Sequence, residues 1–508
     1  KEVVAMAESA AVFVSEPLVR MPSAPLVHDN QVGARRLSAA GVRRISVHSP
    51  YTGELLGSVP DSGPEQVAEV VAAALRVSRS WAALPIKERT QPLFRFRELL
   101  LSNLDALAHS AARECGKTVA EAAAGVEKGI EVVEYGLSLQ NLDGGASLEV
   151  SRGVRCELRR EPVGVVAGIT PFNFPAMVPP WLFPLAVTLG NPFILKPSEK
   201  TPLTAAELAR LMHEAGYPEG VFSVLHGSAR AVEALIDHPD VHAYGFVGSS
   251  KVAASVYTRA AERGKRVLAL GGAKNTLILA PDADPALAVQ GIVASFTGCA
   301  GQRCMAGSVL VAVGPCDGLI ERIVKAAGAI QVGAGMGAII DPASVDRLRA
   351  AVERGVADGA RVVLDGRTAP APLGYEGGSW FAPTVLDHVP PASHCATAEL
   401  FGPVLSIVRV PSIQAALEFE HASPYGNATS IFTQSGAVAR QVSDAAQSGM
   451  IGVNVGVPVP REPFSFGGTK GSRFGHGDIT GQGGVELWTH LKKITSKWGT
   501  NTDGSWMS

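Results

Sequence analysis

The stretch from residue 162 to residue 195 carries no charged side chain, and it constrains this chain more than any other feature. So long an apolar run belongs either in a bilayer or deep inside a globular fold. A membrane-spanning helix needs about 20 largely unbroken apolar residues. Here Pro171, Pro175, Pro179, Pro180, Pro184 and Pro192 interrupt the run. Each proline removes a backbone donor and clashes with the preceding helical turn. The stretch therefore reads as the buried interior of a soluble protein.

Its surroundings alternate between strand and helix. Gly164-Val165-Val166-Ala167-Gly168-Ile169 reads as a buried strand, Phe193 to Pro197 ends a second, and Phe222 to Leu225 is a third. A helix spans Thr204 to Ala215. Tyr244 to Gly248 is a fourth strand, turning at Ser249-Ser250 into another helix, and Val267–Gly272 and Thr276–Ala280 are short strands. This alternation predicts a parallel α/β sheet. Ligands of such sheets lie beyond the carboxyl ends of the strands, which places Asn173, Lys196 and Ser249 alike.

Upstream, Ile45 to Pro60 predicts a β-hairpin around Pro50-Tyr51-Thr52-Gly53. Helical spacing of apolar residues runs from Pro64 to Leu84, from Lys87 to Gly116 and from Val119 to Asn141, and Gly144-Gly145 ends that region. Ser147 to Arg160 alternates like an exposed pair of strands, and exposed edges invite pairing with another subunit. Beyond Pro281 a second α/β unit begins. It opens with an uncharged helix from Pro285 to Gln302, followed by strands near Ser308–Val313, Arg361–Leu364, Val404–Val410 and Thr429–Phe432. The tail, Val485 to Thr495, reads as a strand. Gly333-Ala334-Gly335-Met336-Gly337 resembles a dinucleotide fingerprint, but it lies in the wrong unit and reads as a loop.

At 508 residues, with 46% hydrophobic and 18% charged, the chain suits two or three domains. A net charge of −2 argues against nucleic-acid or membrane-surface binding. The six cysteines, at 115, 156, 299, 304, 316 and 395, show neither a disulfide nor a zinc pattern, so no metal site is expected. That usage suits a reducing, cytoplasmic setting. Lys1 to Asn30 lacks the order of a signal peptide. The start at Lys1 reads as a missing initiating segment, which leaves targeting open.

The chemistry centres on Gly301-Gln302-Arg303-Cys304-Met305-Ala306, where the uncharged helix delivers one thiol beside one cation. A thiolate is the nucleophile of cysteine chemistry, and a nearby guanidinium favours it. Free cysteines are often merely buried, so the thiol alone decides little.

The order of several motifs decides more. They are Thr170-Pro171-Phe172-Asn173-Phe174-Pro175, Leu195-Lys196-Pro197-Ser198-Glu199-Lys200-Thr201-Pro202, Phe246-Val247-Gly248-Ser249 and Gly272-Ala273-Lys274-Asn275. The thiol motif, Glu399-Leu400-Phe401-Gly402-Pro403 and Pro463-Phe464-Ser465-Phe466 follow. In this order they resemble the aldehyde dehydrogenase superfamily over nearly the whole chain, most closely its CoA-acylating methylmalonate-semialdehyde (malonate-semialdehyde) dehydrogenase branch.

The resemblance implies an α/β fold. It has a Rossmann-type NAD-binding domain (30–146 and 161–280), an α/β catalytic domain (281–475) and a small β oligomerisation arm (147–160 and 484–498). The arm implies a homodimer or homotetramer. Cys304 would attack an aldehyde carbonyl, with the Asn173 amide and the Cys304 backbone N–H as oxyanion donors. One such donor is typically worth about 3 kcal/mol. Lys196 and Glu199 would hold the adenosine ribose, Ser249 would face the pyrophosphate at a helix N-terminus, and Glu399 and Phe401 would position the nicotinamide end. Phe172 and Lys200 fall in the same motifs and are counted with the cofactor site. Glu199 near the 2′-hydroxyl favours NAD over NADP.

Two departures matter. Hydrolytic relatives place a water-activating Glu four residues before the Lys matching Lys274; here Leu270 stands there, between Ala269 and Gly271. The acylating branch usually has Asn, so Leu270 fits neither pattern. Without a base water is a poor nucleophile, whereas a thiol ionises near neutral pH. Coenzyme A is therefore the expected acyl acceptor. Arg303 would pair with a substrate carboxylate, and Lys128 stands where the branch has a second Arg; lysine lacks the guanidinium fork. For malonic substrates the family implies loss of CO₂, giving acetyl-CoA or propionyl-CoA. A hydrolytic enzyme, one acting on a non-carboxylated aldehyde, and an idle homologue that only binds remain the alternatives.

Overall fold

The computed structural model describes residues 17–142 and 145–498. Gly144 and the first sixteen residues, on which parts of the sequence reading rest, lie outside it.

The uncharged stretch forms a buried unit of strand, helix and strand: Val165–Ile169, Val178–Thr188 and Phe193–Lys196, every residue of which is buried. The helix was not legible in the sequence. Pro179 and Pro180 stand in its first turn, where the N–H groups have no intrahelical partner anyway.

Around this unit grows an eight-stranded sheet. Its centre runs Arg266–Leu270, Val241–Val247, Val165–Ile169, Phe193–Lys196 and Phe222–Val224, all parallel. Antiparallel edge strands flank it on both sides. The chain enters at the middle strand, builds one flank and then crosses to the other. The reversal falls between Val165–Ile169 and Val241–Val247, where doubly wound sheets open a crevice at their carboxyl ends.

The second sheet has seven strands in the order Arg361–Leu364, Thr384–Asp387, Val404–Val410, Gly307–Val313, Asn275–Leu279, Ala428–Phe432 and Met450–Val453. All but the first run parallel. Asn275–Leu279 thus lies at the heart of this sheet, so the crossover between sheets precedes it instead of falling near residue 280. Arg473–Phe474 returns to the edge of the first sheet.

Three local expectations need correction. The helix expected from Lys87 to Gly116 is two, Ile86–Ser102 and Leu104–Cys115. They part at Asn103, whose side-chain amide donates to the Leu99 carbonyl at 2.8 Å, the local competition that makes Asn a helix breaker. The tail is not strand throughout: Gly481–Trp488 is helical, with Trp488 fully buried, and the strand is Thr489–Lys497. The helix running toward the thiol ends at Thr297, short of Gln302. Gly333 to Gly337 opens no helix, as expected.

Ala146–Ser151, Val154–Pro162 and Thr489–Lys497 form a separate antiparallel sheet. Every residue of Ala146–Ser151 is exposed, Leu148 and Val150 included. Among the described residues no helix is long and apolar enough to cross a membrane, and no group of three or more metal-ligating side chains occurs.

Candidate active site

The thiol is delivered by a strained turn. Cys299 and Ala300 hold φ of 54° and 52°, left-handed values that cost L residues energy, and Gly301 follows at 68°. A Cβ on Gly301 would lie 2.2 Å from the Gly402 backbone, so only glycine fits. Behind the turn, Gln302 donates to the Ala338 carbonyl and accepts from the Ile340 N–H.

Three asparagine amides then fix the loop. Asn173 Nδ2 donates to the Gln302 carbonyl at 2.9 Å. The Cys304 carbonyl accepts from Asn275 Nδ2 at 2.7 Å and from Asn427 Nδ2 at 3.0 Å. Asn173 thus lies beside the loop, with one amide hydrogen engaged. Asn427 was not singled out in the sequence, and no local signal there marks it.

Cys304 opens onto a cavity of about 460 Å³. Phe174, Met177, Trp181 and Met305 form apolar wall, and Trp181 packs against buried Phe466, the last residue of the Pro-Phe-Ser-Phe motif, with ring centroids 4.6 Å apart. Burial, with Glu399 nearby, pushes the Cys304 thiol up to about 12, outweighing its own N–H, Arg303 and Lys117. Arg303 acts on the sulfur in the expected direction, toward the anion, but burial outweighs it. The Arg303 Nη2 donates to the Ala294 and Ser295 carbonyls.

The cavity holds four charged side chains besides: Glu121, Lys128, Arg303 and Arg461. Lys128 lines it as expected, but its ammonium is 2.5 Å from Glu131 and 3.7 Å from Glu462. Arg461, missed in the sequence, is 79% exposed and among the described residues has one ion pair, to Glu131 at 3.8 Å.

Leu270 is buried at the end of its strand and brings no carboxylate. Two carboxylates from elsewhere do approach. Glu121 has both oxygens engaged, one by the Cys299 N–H at 2.6 Å and the other by Thr118 N–H and hydroxyl at 3.1 Å. Glu399 accepts from the Ala273 N–H at 2.9 Å, and burial raises its pKa above the usual carboxylate range.

The remaining predicted residues gather at the carboxyl ends of the first sheet. Lys196 is buried, which lowers its pKa, and pairs with half-exposed Glu199 at 3.3 Å. Ser249 caps the helix Ser250–Ala261 with no side-chain bond to it, leaving exposed N–H groups at that terminus. Phe172 and Phe401 meet edge to face at 5.7 Å. Lys200 turns instead to Asp341 at 2.6 Å, tying the two sheets' units together. On the neighbouring strand end sits buried His226, whose two ring nitrogens have no partner. Burial, with His28 and Lys196 nearby, takes it down to about 3, so it is neutral. An open helix terminus, an orphaned imidazole and the pair of buried Lys196 with half-exposed Glu199 fit a dinucleotide's polar groups.

Comparison with known proteins agrees. The aldehyde dehydrogenase family pattern matches residues 37–494. Malonate-semialdehyde dehydrogenase 2 of Geobacillus thermodenitrificans is 42% identical over 476 residues, covering 92% of this chain and 98% of that one. The malonate-semialdehyde dehydrogenase of Pseudomonas aeruginosa is 42% identical over 465 residues, 90% and 93% of the two chains. A structure from Sinorhizobium meliloti, described as a methylmalonate-semialdehyde dehydrogenase complexed with NAD, superposes with a TM-score of 0.93 at 37% identity, covering 95% of this chain and 100% of that one. That of methylmalonate-semialdehyde dehydrogenase from Oceanimonas doudoroffii gives 0.92 at 37%, over 94% and 99%. Fold, motif order and sequence converge: this chain is a member of the aldehyde dehydrogenase family.

Proposed function

We propose that this chain catalyses NAD-dependent, CoA-acylating oxidation of malonate semialdehyde or its methyl homologue. The names of its relatives support the substrate class, and the cations around the thiol cavity support a carboxylated aldehyde. The observation that carries the acyl acceptor is Leu270 where a water-activating base would stand, with each oxygen of Glu121 held by a backbone donor.

The Cys304 thiolate adds to the aldehyde carbon, and the developing oxyanion takes a hydrogen bond from Asn173. Lys196, Glu199, the Ser249 helix terminus, Glu399 and Phe401 would hold NAD, which when bound would supply the hydride acceptor. The acyl group is then left as a thioester on Cys304. With Leu270 in place of a base and Glu121 held by backbone donors, the coenzyme A thiolate attacks the acyl carbon and Cys304 leaves as the thiolate. Arg303 and Arg461 orient the substrate carboxylate; it departs as CO₂, its C–C bonding pair passing into the thioester as an enolate that takes a proton from solvent. The exposed Ala146–Ser151 strand supports assembly into a homodimer or homotetramer.

Product analysis with and without coenzyme A tests this. The expected result is acetyl-CoA from malonate semialdehyde, with little free acid when coenzyme A is withheld. Steady NADH formation with free acid and no coenzyme A would overturn it. Glu399 beside the sulfur favours that second, hydrolytic reading, and Glu399→Gln would then abolish acid release.

A further inference from the structure

Lys117 stands between the helices Leu104–Cys115 and Val119–Leu142, and no step above gives its ammonium a task. Its backbone is fixed from both sides. The Tyr51 hydroxyl donates to the Lys117 carbonyl at 2.5 Å. The Gly116 carbonyl before it accepts from the Ala338 N–H at 2.7 Å. Thr118 after it closes a reciprocal cap with Glu121, at 3.1 and 3.2 Å.

The residue is 4% exposed, and among the described residues it has no ion pair. Burying an ammonium without a carboxylate costs free energy. The contact it makes instead is with an aromatic face: Nζ lies 3.0 Å from the centroid of the Phe174 ring. A cation over a ring is held by the ring's negative face, and more strongly away from water.

Phe174 is wall of the thiol cavity. Its carbonyl accepts from the Met177 and Val178 N–H groups at 3.3 and 3.1 Å, which fixes the main chain. Those bonds leave the ring free to change rotamer, and the Lys117 cation selects one orientation. A turned ring would reshape the space above Cys304, where misplacing a reacting atom by about 1 Å costs up to about 10²-fold. We propose that Lys117 is a positioning residue for aldehyde oxidation: its ammonium holds the Phe174 ring in the cavity wall, so that the aldehyde carbon meets the Cys304 sulfur. This rests on Cys304 as the nucleophile, a reading that Cys304→Ala tests separately by the loss of all NADH formation.

The burst of NADH formed from malonate semialdehyde with coenzyme A withheld reports the oxidation step alone. Lys117→Met, which keeps the bulk and removes the charge, is expected to slow that burst by about tenfold, the size of a desolvated cation–π contact. In a Phe174→Leu background the same change should matter by less than about twofold, since the ring through which it acts is gone. Lys117→Arg, which also lies well over aromatic faces, should restore the burst to within about threefold of wild type. NAD affinity within about twofold of wild type, by fluorescence quenching, verifies that each variant is folded. A Lys117→Met burst as fast as wild type would overturn the proposal, as would Lys117→Arg as slow as Lys117→Met. So would a tenfold loss that persists in Phe174→Leu, which would mean that the charge acts on the sulfur directly. Loss of NAD affinity in Lys117→Met along with the burst would make Lys117 a general packing residue.

Discussion

Lys128 Nζ lies 2.5 Å from Glu131 Oε2, and Glu462 approaches the same ammonium at 3.7 Å. A substrate carboxylate must compete with two resident ones for this cation, whereas among the described residues Arg461 meets Glu131 alone, at 3.8 Å. Lys128, the second cation expected beside Arg303, is thus already paired, and Arg461 is the less engaged cation of the same cavity.

Arg461→Gln is therefore expected to raise KM for malonate semialdehyde by about tenfold, the loss of one charge-assisted contact, and to leave propanal nearly unchanged. Lys128→Met should change the ratio of the two substrates less. Steady-state kinetics on both aldehydes decide. An equal loss on propanal would mean that Arg461 shapes the cavity and does not read the carboxylate.

The free enzyme should hold Cys304 as a thiol, pushed up to about 12 by burial and Glu399. Below that value the thiolate fraction, and with it alkylation by iodoacetamide, rises about tenfold per pH unit. Alkylation of Cys304 followed by mass spectrometry from pH 7 to pH 9 is expected to show no plateau. A plateau by pH 8 would mean that Arg303 and Lys117 dominate the sulfur after all.

Asn427→Ala removes one of the two amides on the Cys304 carbonyl and the bond to Met305 Sδ. Small misplacements of a nucleophile cost up to about 10²-fold. We expect kcat to fall by about 10- to 100-fold while NAD affinity, measured by fluorescence quenching, stays within about twofold. Equal losses in both would mark Asn427 as a general packing residue.

Asp387 joins two strands of the second sheet to Arg409 through bonds of 3.0 and 2.9 Å. Burial pushes its carboxyl up, but Arg409 and the His388 N–H outweigh that and hold it below the usual range. The pair's contribution is thus present above about pH 4 and lost as pH falls through the lowered value. Arg409→Gln should destabilise by about 3 kcal/mol at pH 7, since it strands a buried charge. The deficit should shrink below pH 4 as Asp387 is protonated; urea unfolding at both values checks it. A deficit independent of pH would assign the effect to packing.

Much of the fold was legible because its signals are local. Val165–Ile169 and Gly307–Val313 are short β-rich runs bounded by turns, and Pro64–Ala83 carries a clean helical period. The helix inside the uncharged stretch was hidden, since a segment buried on every side has no polar face to reveal its period. The thiol, its loop and the residues expected to hold the dinucleotide stood out because each lies in a contiguous motif.

The sequence by itself determined two parallel α/β units, the buried uncharged centre, the thiol on its loop and the missing base at Leu270. Hydrophobic runs and backbone punctuation act over a few residues, and a chain states them directly. Only the tertiary structure decided that Asn275–Leu279 belongs to the second sheet, that Asn275 and Asn427 grip the Cys304 carbonyl, and that Lys128 meets two carboxylates closely while Arg461 meets Glu131 at 3.8 Å. Charge pairing and hydrogen bonding depend on distances across the fold. Residues more than a hundred positions apart acquire those distances only when the chain packs.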